Sequence, residues 1–206
     1  MLFTPSSFVE SDRTALHELI RSNSFATLIS PDADDPWITH LPLLLDTEGG
    51  EQGVLLGHLA RANPHWQRLA QAPIVTVVFH GPHAYVSPAL YRNHPSVPTW
   101  NYATVHVRGT ARTFEAGAEL APLVRRMTSH YEQSREQPWA MALPEDYFQS
   151  MLRNIVGVEI TITALTGKFK LSQNRSAADR SAVIEAFEKG NATEQALATL
   201  MRIDDL

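Results

Sequence analysis

Residues 155–165 read IVGVEITITAL and alternate without a break: Val156, Val158, Ile160 and Ile162 fall on one side, Gly157, Glu159, Thr161 and Thr163 on the other. Side chains leave a strand on opposite faces with a period of two, so this segment predicts a half-buried β-strand. Residues 105–114 carry a second strand signal. Between the two, residues 116–131 and 144–152 show helical spacing and are expected to cap the sheet. Further back, IVTVVF at residues 74–79 is apolar on both faces apart from Thr76 and rich in β-branched residues, which places it inside a sheet rather than at an edge.

The N-terminal third continues the pattern. FATLIS at residues 25–30 and WITHLPLLLD at residues 37–46 are strands joined across the acidic turn PDADDP, a hairpin signal. Residues 54–59 form a third strand, followed by a short helix ending near Pro73. A leading helix over residues 12–21 presents Leu16, Leu19 and Ile20 on one face, with Ser11 as N-cap and Asn23 as stop. At the other end Ser176 and Asp179 match a capping pattern. Ala182, Val183, Ala186 and Phe187 supply an apolar stripe, Gly190 closes that helix, and a final helix starts near Thr193. Some six strands at hairpin spacing, with helices inserted singly, predict a mainly β (α+β) fold: an antiparallel barrel with appended helices, not a doubly wound sheet. The expected organisation is a barrel over residues 1–170 and a helical extension over residues 171–206 packed on the same domain.

Composition narrows the function. The 206 residues suit one well-buried domain, and the absence of cysteine excludes disulfides, thiolate catalysis and cysteine-based zinc sites. With no basic region ahead of an apolar core, and no apolar run near the roughly 18 residues that span a bilayer, a cytoplasmic location is expected. Net charge is -5, and Lys and Arg are scattered except between Lys168 and Arg175. Such a chain lacks the broad basic face of a phosphate-backbone binder, so direct DNA binding is disfavoured.

Three segments concentrate chemistry. In GHLARANPHW, residues 57–66, Arg61 precedes a helix start at Asn63 and Pro64; a guanidinium beside unpaired N–H groups is what a ligand phosphate needs, and Ala60 permits close approach. The competing explanation is a solvated Arg61 and an ordinary cap at Asn63. PTWNY, residues 98–102, sets aromatics around an amide at the exit of a proline-rich loop, suited to a planar ring, although core aromatics look the same. GKFKLSQNR, residues 167–175, gathers basic and amide groups in a loop, or is simply a solvated linker into the next helix. His80 and His83 form a close pair with no third ligand, so no metal site is expected. No nucleophile elbow, P-loop or dinucleotide fingerprint is present.

The ordered set TALHELI, FATL, HLPLLLD, GHLARANPHW, HAYVSP, PTWNY, VHVRG, IVGVEI and GKFKLSQNR resembles the PaiB-type FMN-binding negative transcriptional regulators over nearly the whole chain. The resemblance implies a split β-barrel related to the pyridoxamine-phosphate-oxidase and flavin-reductase barrels, a homodimer, and FMN in a groove at the subunit interface. It depends on no single motif. Carried onto this sequence, His58, Ala60, Arg61 and Asn63 would form the phosphate end of the FMN site, with Trp100, Asn101 and Tyr102 near the ring. Lys170, Gln173, Asn174 and Arg175 would close the site, and Thr39 and His40 are weaker candidates. Two departures are a shorter loop before PTWNY and Phe169 where tryptophan is usual, and both bear on substrate access. The implied function is repression through flavin or redox sensing, with DNA a partner by family analogy only. FMN-dependent oxidoreductase is the alternative and haem handling a third option. No catalytic residue is assigned.

Overall fold

A computed structural model describes residues 3–203. It contains eight strands: β1 (Val9–Glu10), β2 (Phe25–Ser30), β3 (Trp37–Pro42), β4 (Leu44–Asp46), β5 (Val54–Ala60), β6 (Ile74–Val86), β7 (Thr99–Phe114) and β8 (Ile155–Lys170). Six α-helices accompany them: α1 (Arg13–Ser22), α2 (His65–Gln71), α3 (Gly117–Glu132), α4 (Glu145–Leu152), α5 (Ala177–Phe187) and α6 (Ala192–Ile203). The strands form one antiparallel sheet in the order β3-β2-β6-β7-β8-β5-β4, with β1 added to β8. This is the split-barrel class expected, and β6 lies in the interior of the sheet as its two-faced apolar pattern requires.

The differences from expectation have local causes. WITHLPLLLD is two strands, because the chain breaks at Leu43, whose N–H donates to Ser24 O at 2.9 Å. Gly57 lets that break sit close: a Cβ there would lie 2.8 Å from Pro42 O and from Leu43 Cδ2. IVTVVF and the HAYV of HAYVSP belong to one strand, β6, running through Gly81, where a Cβ would meet Ala103 O at 2.9 Å. β7 begins at Thr99 and β8 ends at Lys170, so Trp100–Tyr102 and the GKFK segment lie on strands rather than in loops. Asp12 replaces Ser11 as the α1 cap, its Oδ1 accepting from Thr14 N at 3.0 Å, since a carboxylate is the stronger acceptor.

The chain packs as two compact units. One comprises residues 24–78 and 107–165; the other comprises the chain up to Asn23, residues 79–106 and the chain from Thr166 onward. In the first, Leu120, Leu123 and Met127 of α3 and Phe148 and Leu152 of α4 bury an apolar stripe with Leu44 and Phe114. Each fully buried side chain of this size contributes about 1.5–3 kcal/mol. β5 and β8 pair with His58 opposite Gly157, and only glycine fits there, because a Cβ would lie 2.3 Å from the Phe114 ring. In the second unit, α5 and α6 bury Val183, Phe187, Leu197 and Met201. Arg180, itself buried, donates to Leu171 O at 3.4 Å and to Met201 O. Residues 204–206 of the expected extension lie outside the described residues.

Candidate functional site

The β5–α2 junction lies in the first unit. β5 alternates, with Leu55, Gly57 and Leu59 buried on one face, so His58 and Ala60 share the other face with Leu56, which packs against the α3–α4 cluster. His58 is half-buried, and its Nδ1 is enclosed with no hydrogen-bond partner among the described residues. Burial holds this imidazole below its ordinary pKa. Ala60 is exposed. Arg61 is committed on all sides: its Nε donates to Arg153 O at 2.7 Å, one terminal nitrogen donates to Ile155 O at 3.1 Å, and the other pairs with Glu115. The two carbonyl bonds fasten the end of β5 to the start of β8. The carboxylate partner is the exchangeable one, since the Arg61 and Glu115 side chains are 36% and 52% exposed.

Asn63 ties the junction to β3. Its Oδ1 accepts from His65 N at 3.0 Å, from one residue ahead of the actual N-cap, Pro64, of a helix that starts at His65 and has only 7 residues. Its Nδ2 donates to Thr39 Oγ1 at 3.0 Å. Thr39 Oγ1 lies 2.8 Å from His65 Nδ1, and His65 Nε2 lies 2.8 Å from Ser30 Oγ. His65 and Ser30 are fully buried, and burial lowers the His65 pKa, disfavouring the charged ring. Thr39 therefore belongs to a Ser30–His65–Thr39–Asn63 chain. His40 takes the opposite face of β3 and meets its cross-strand neighbour Thr27, Oγ1 to Nδ1, at 3.1 Å.

The second unit holds the other candidates, at the start of β7 and the end of β8. Trp100 is 53% exposed and has Tyr85 edge-on at 6.0 Å and His83 tilted at 6.5 Å, an open aromatic surface. Asn101 is different: fully buried, it donates to Ser172 Oγ at 2.9 Å and receives that hydroxyl at 3.2 Å, so its amide holds β7 to the turn after β8. Tyr102 is half-buried with Lys168 Nζ 5.5 Å from its ring centroid. Lys170 Nζ donates to Thr99 Oγ1 at 2.5 Å and Trp100 O at 2.6 Å. Burial, then the charges of Arg175 and Lys168, push its pKa down. Gln173 folds onto its own turn, bonding Leu171 N and Phe169 O, while Asn174 is exposed and Arg175 stacks on Tyr91 at 4.2 Å. Lys168, Lys170 and Arg175 pair with no carboxylate among the described residues.

Three participants escaped sequence reasoning. Glu115 lies 54 residues from Arg61 and no local pattern links them. His65 and Ser30 read as a helix residue and a strand end, and only the fold makes them neighbours. Lys168 was legible, two residues before Lys170 on a strand and so on the same face, once the strand was known to extend that far.

Residues 2–164 match the family described as "Putative FMN-binding domain". The chain is 34% identical over 203 residues, covering 97% of itself and 96% of the relative, to "Protease synthase and sporulation protein PAI 2" of Bacillus subtilis (strain 168). Among solved structures it is similar to the FAD and haem binding protein from Mycobacterium smegmatis, with TM-score 0.60, 15% identity, and coverage of 84% of this chain and 78% of that one. It is also similar to a conserved hypothetical protein from Mycobacterium tuberculosis, with TM-score 0.57, 13% identity, and coverage of 84% and 92%. At these identities the two structures speak for the fold alone. The chain belongs to the PaiB-type family of FMN-binding domains, with FMN as its cofactor.

Proposed function

We propose that this protein is a cytoplasmic, homodimeric flavoprotein that acts as a negative transcriptional regulator through the state of its FMN rather than by reading DNA itself. The observation that carries the FMN assignment to particular residues is a carboxylate-free group of cations, Lys168, Lys170 and Arg175, in an otherwise acidic chain, with Lys170 bonded to the backbone carbonyl of the exposed Trp100. FMN is a planar ring bearing a dianionic phosphate. In the first unit Arg61, Asn63 and the His58 Nδ1, which has no partner among the described residues, are groups suited to a phosphate. In the second unit Trp100 and Tyr102 offer aromatic faces suited to a ring, and Lys170, Gln173, Asn174 and Arg175 belong to that same unit. When bound, FMN supplies reversible uptake of electrons. The chain's own part is to bind and orient the ring and to hold Lys170 as a desolvated ammonium beside Trp100.

Indirect regulation follows from charge. With net charge -5 and its cations scattered apart from the Lys168–Arg175 segment, the chain has no broad basic face with which to neutralise DNA phosphates. Titration of FMN and of riboflavin into wild type, Arg61→Ala and Trp100→Ala tests the site. Loss of FMN but not riboflavin affinity in Arg61→Ala, and of both in Trp100→Ala, is expected. Retention of the protein on promoter DNA at physiological salt would overturn the indirect mode.

A second function, FMN-dependent oxidoreductase, is favoured by Lys170, whose pKa is lowered by burial and by the charges of Arg175 and Lys168, which makes its ammonium a readier proton donor than an exposed lysine. Anaerobic addition of NADH or NADPH decides: loss of the flavin's visible absorbance at catalytic rates supports turnover, and an unchanged spectrum removes it.

A further inference from the structure

Within the second unit, α1 and α6 flank a groove of about 1,100 Å³ that none of the flavin-site candidates lines. Leu19, Phe169 and Leu171 are buried beneath it, and Ala15, Ala196 and Leu200 line its sides, so most of what a ligand would touch is apolar. Three carboxylates, Glu10, Asp12 and Glu18, line the same groove, and no Lys or Arg is among the described residues lining it. Their hydrogen bonds leave the charges in place. Glu10 accepts from Asp12 N at 2.7 Å, Asp12 from Thr14 N at 3.0 Å and Glu18 from Ser22 Oγ at 2.9 Å, all neutral donors. Arg21 reaches Glu18 only at 4.0 Å, with both side chains exposed. A carboxylate has about four acceptor positions, so each keeps capacity for a further donor.

We propose that this groove binds a small amphipathic cation: an apolar body of one or two rings carrying a protonated amine. The apolar base takes the body, and the carboxylates take the ammonium. Other occupants fit less well. The carboxylates do not gather into a metal-binding group, since no cluster of three or more His, Asp or Glu with that geometry exists among the described residues. FMN would bring its phosphate against three negative charges. A second copy of the chain docked by two-fold symmetry would set this acidic surface against itself.

The test is titration of the FMN-loaded full chain with 4-phenylbutylamine, 4-phenylbutanol and 4-phenylbutyrate, followed by calorimetry. The amine is expected to bind up to about fivefold more tightly than the alcohol, as one close charge pair at an exposed site gives, and the carboxylate not at all. Glu18→Gln should remove most of the amine's advantage and leave the alcohol unchanged. Ala196→Trp, a change at an exposed helix position, should abolish binding of the amine and the alcohol while FMN affinity and the far-ultraviolet spectrum stay as in wild type. Equal binding of amine and alcohol, no binding to wild type, undiminished binding to Ala196→Trp, or displacement of the amine by FMN would each overturn the proposal. So would a change of solution mass in Ala196→Trp, which would assign the groove to a second copy.

Discussion

Replacing Glu115 by glutamine isolates the part of the Arg61 arrangement that a phosphate would have to displace. The guanidinium is held by two carbonyl bonds, at 2.7 and 3.1 Å, and these survive the change. What is lost is an ion pair whose side chains are 36% and 52% exposed, which belongs to the surface class worth about 0–1 kcal/mol. Stability should therefore fall by no more than about 1 kcal/mol in urea denaturation. If Arg61 serves the FMN phosphate, the same energy no longer opposes binding, and FMN affinity rises by up to about fivefold. Riboflavin, which has no phosphate, should bind both proteins alike. The gain should shrink as salt is raised, because both the lost pair and the new one are screened. Fluorescence titration with the two ligands, at low and moderate salt, provides the measurement. Unchanged FMN affinity in Glu115→Gln, or a shift shared equally by FMN and riboflavin, would refute a phosphate role for Arg61 and leave it a structural tie between β5 and β8.

Gly157→Ala should destabilise the protein by about 1–3 kcal/mol, read as a lowered denaturation midpoint, because the new methyl meets three atoms of the buried Phe114 ring within 2.7 Å. His58, His65 and His106 all have pKa values lowered from 6.5, by burial in each case and by His80 as well for His106. The unfolded chain thus binds their protons more readily, so stability should be full above pH about 6.5 and decline as pH falls below it. Denaturation curves at successive pH values would show a flat profile if these side chains were not enclosed. Asp179 accepts from the Asn93 side chain and from the Asn93 and Arg92 amides, which lower its pKa to about 2. Asp179→Asn should speed hydrogen exchange at those two amides at neutral pH, whereas wild type should loosen there only as pH falls from about 4 toward 2. Trp100→Ala should weaken FMN and riboflavin alike, by roughly 1 kcal/mol or about fivefold in fluorescence titration.

The strands were legible because burial on one face writes itself into the sequence every second residue, as in β8, and burial on both faces writes a nearly continuous apolar run, as over residues 75–79 of β6. Their ends were harder to find. β7 starts six residues before the expected Val105, and its first turn of sequence, Thr99–Tyr102, contains an exposed Trp100 and a buried Asn101, the reverse of what hydrophobicity predicts. The reason is visible in the hydrogen bonds: Asn101 is buried because Ser172 exchanges bonds with it, across 71 residues of sequence. Periodicity reports the environment of a strand only where that environment is uniformly apolar or uniformly wet, and it fails where a polar pair replaces an apolar one.

The same limit governs the site. Sequence reading can recognise a residue type suited to a phosphate or a ring, but it treats every Arg or Asn as available. Of the candidates, Asn101 and Gln173 have their amides engaged by neighbours and contribute by shaping the turn that carries Lys170 and Arg175. Ser172, in that turn, adopts φ 66°, a left-handed conformation that a non-glycine residue holds only where surrounding contacts impose it. The imposed geometry sets Lys170 and Arg175 on the same side of a short turn, close enough that each raises the electrostatic energy of the other. Such repulsion persists in a folded protein where something else offsets it. Here the aromatic rings of Phe8 and Tyr91, 5.7 Å from the Lys170 ammonium and 4.2 Å from the Arg175 guanidinium, offset it in part. A bound anion would offset it further, which makes this turn the place where ligand binding should produce the largest gain in local stability.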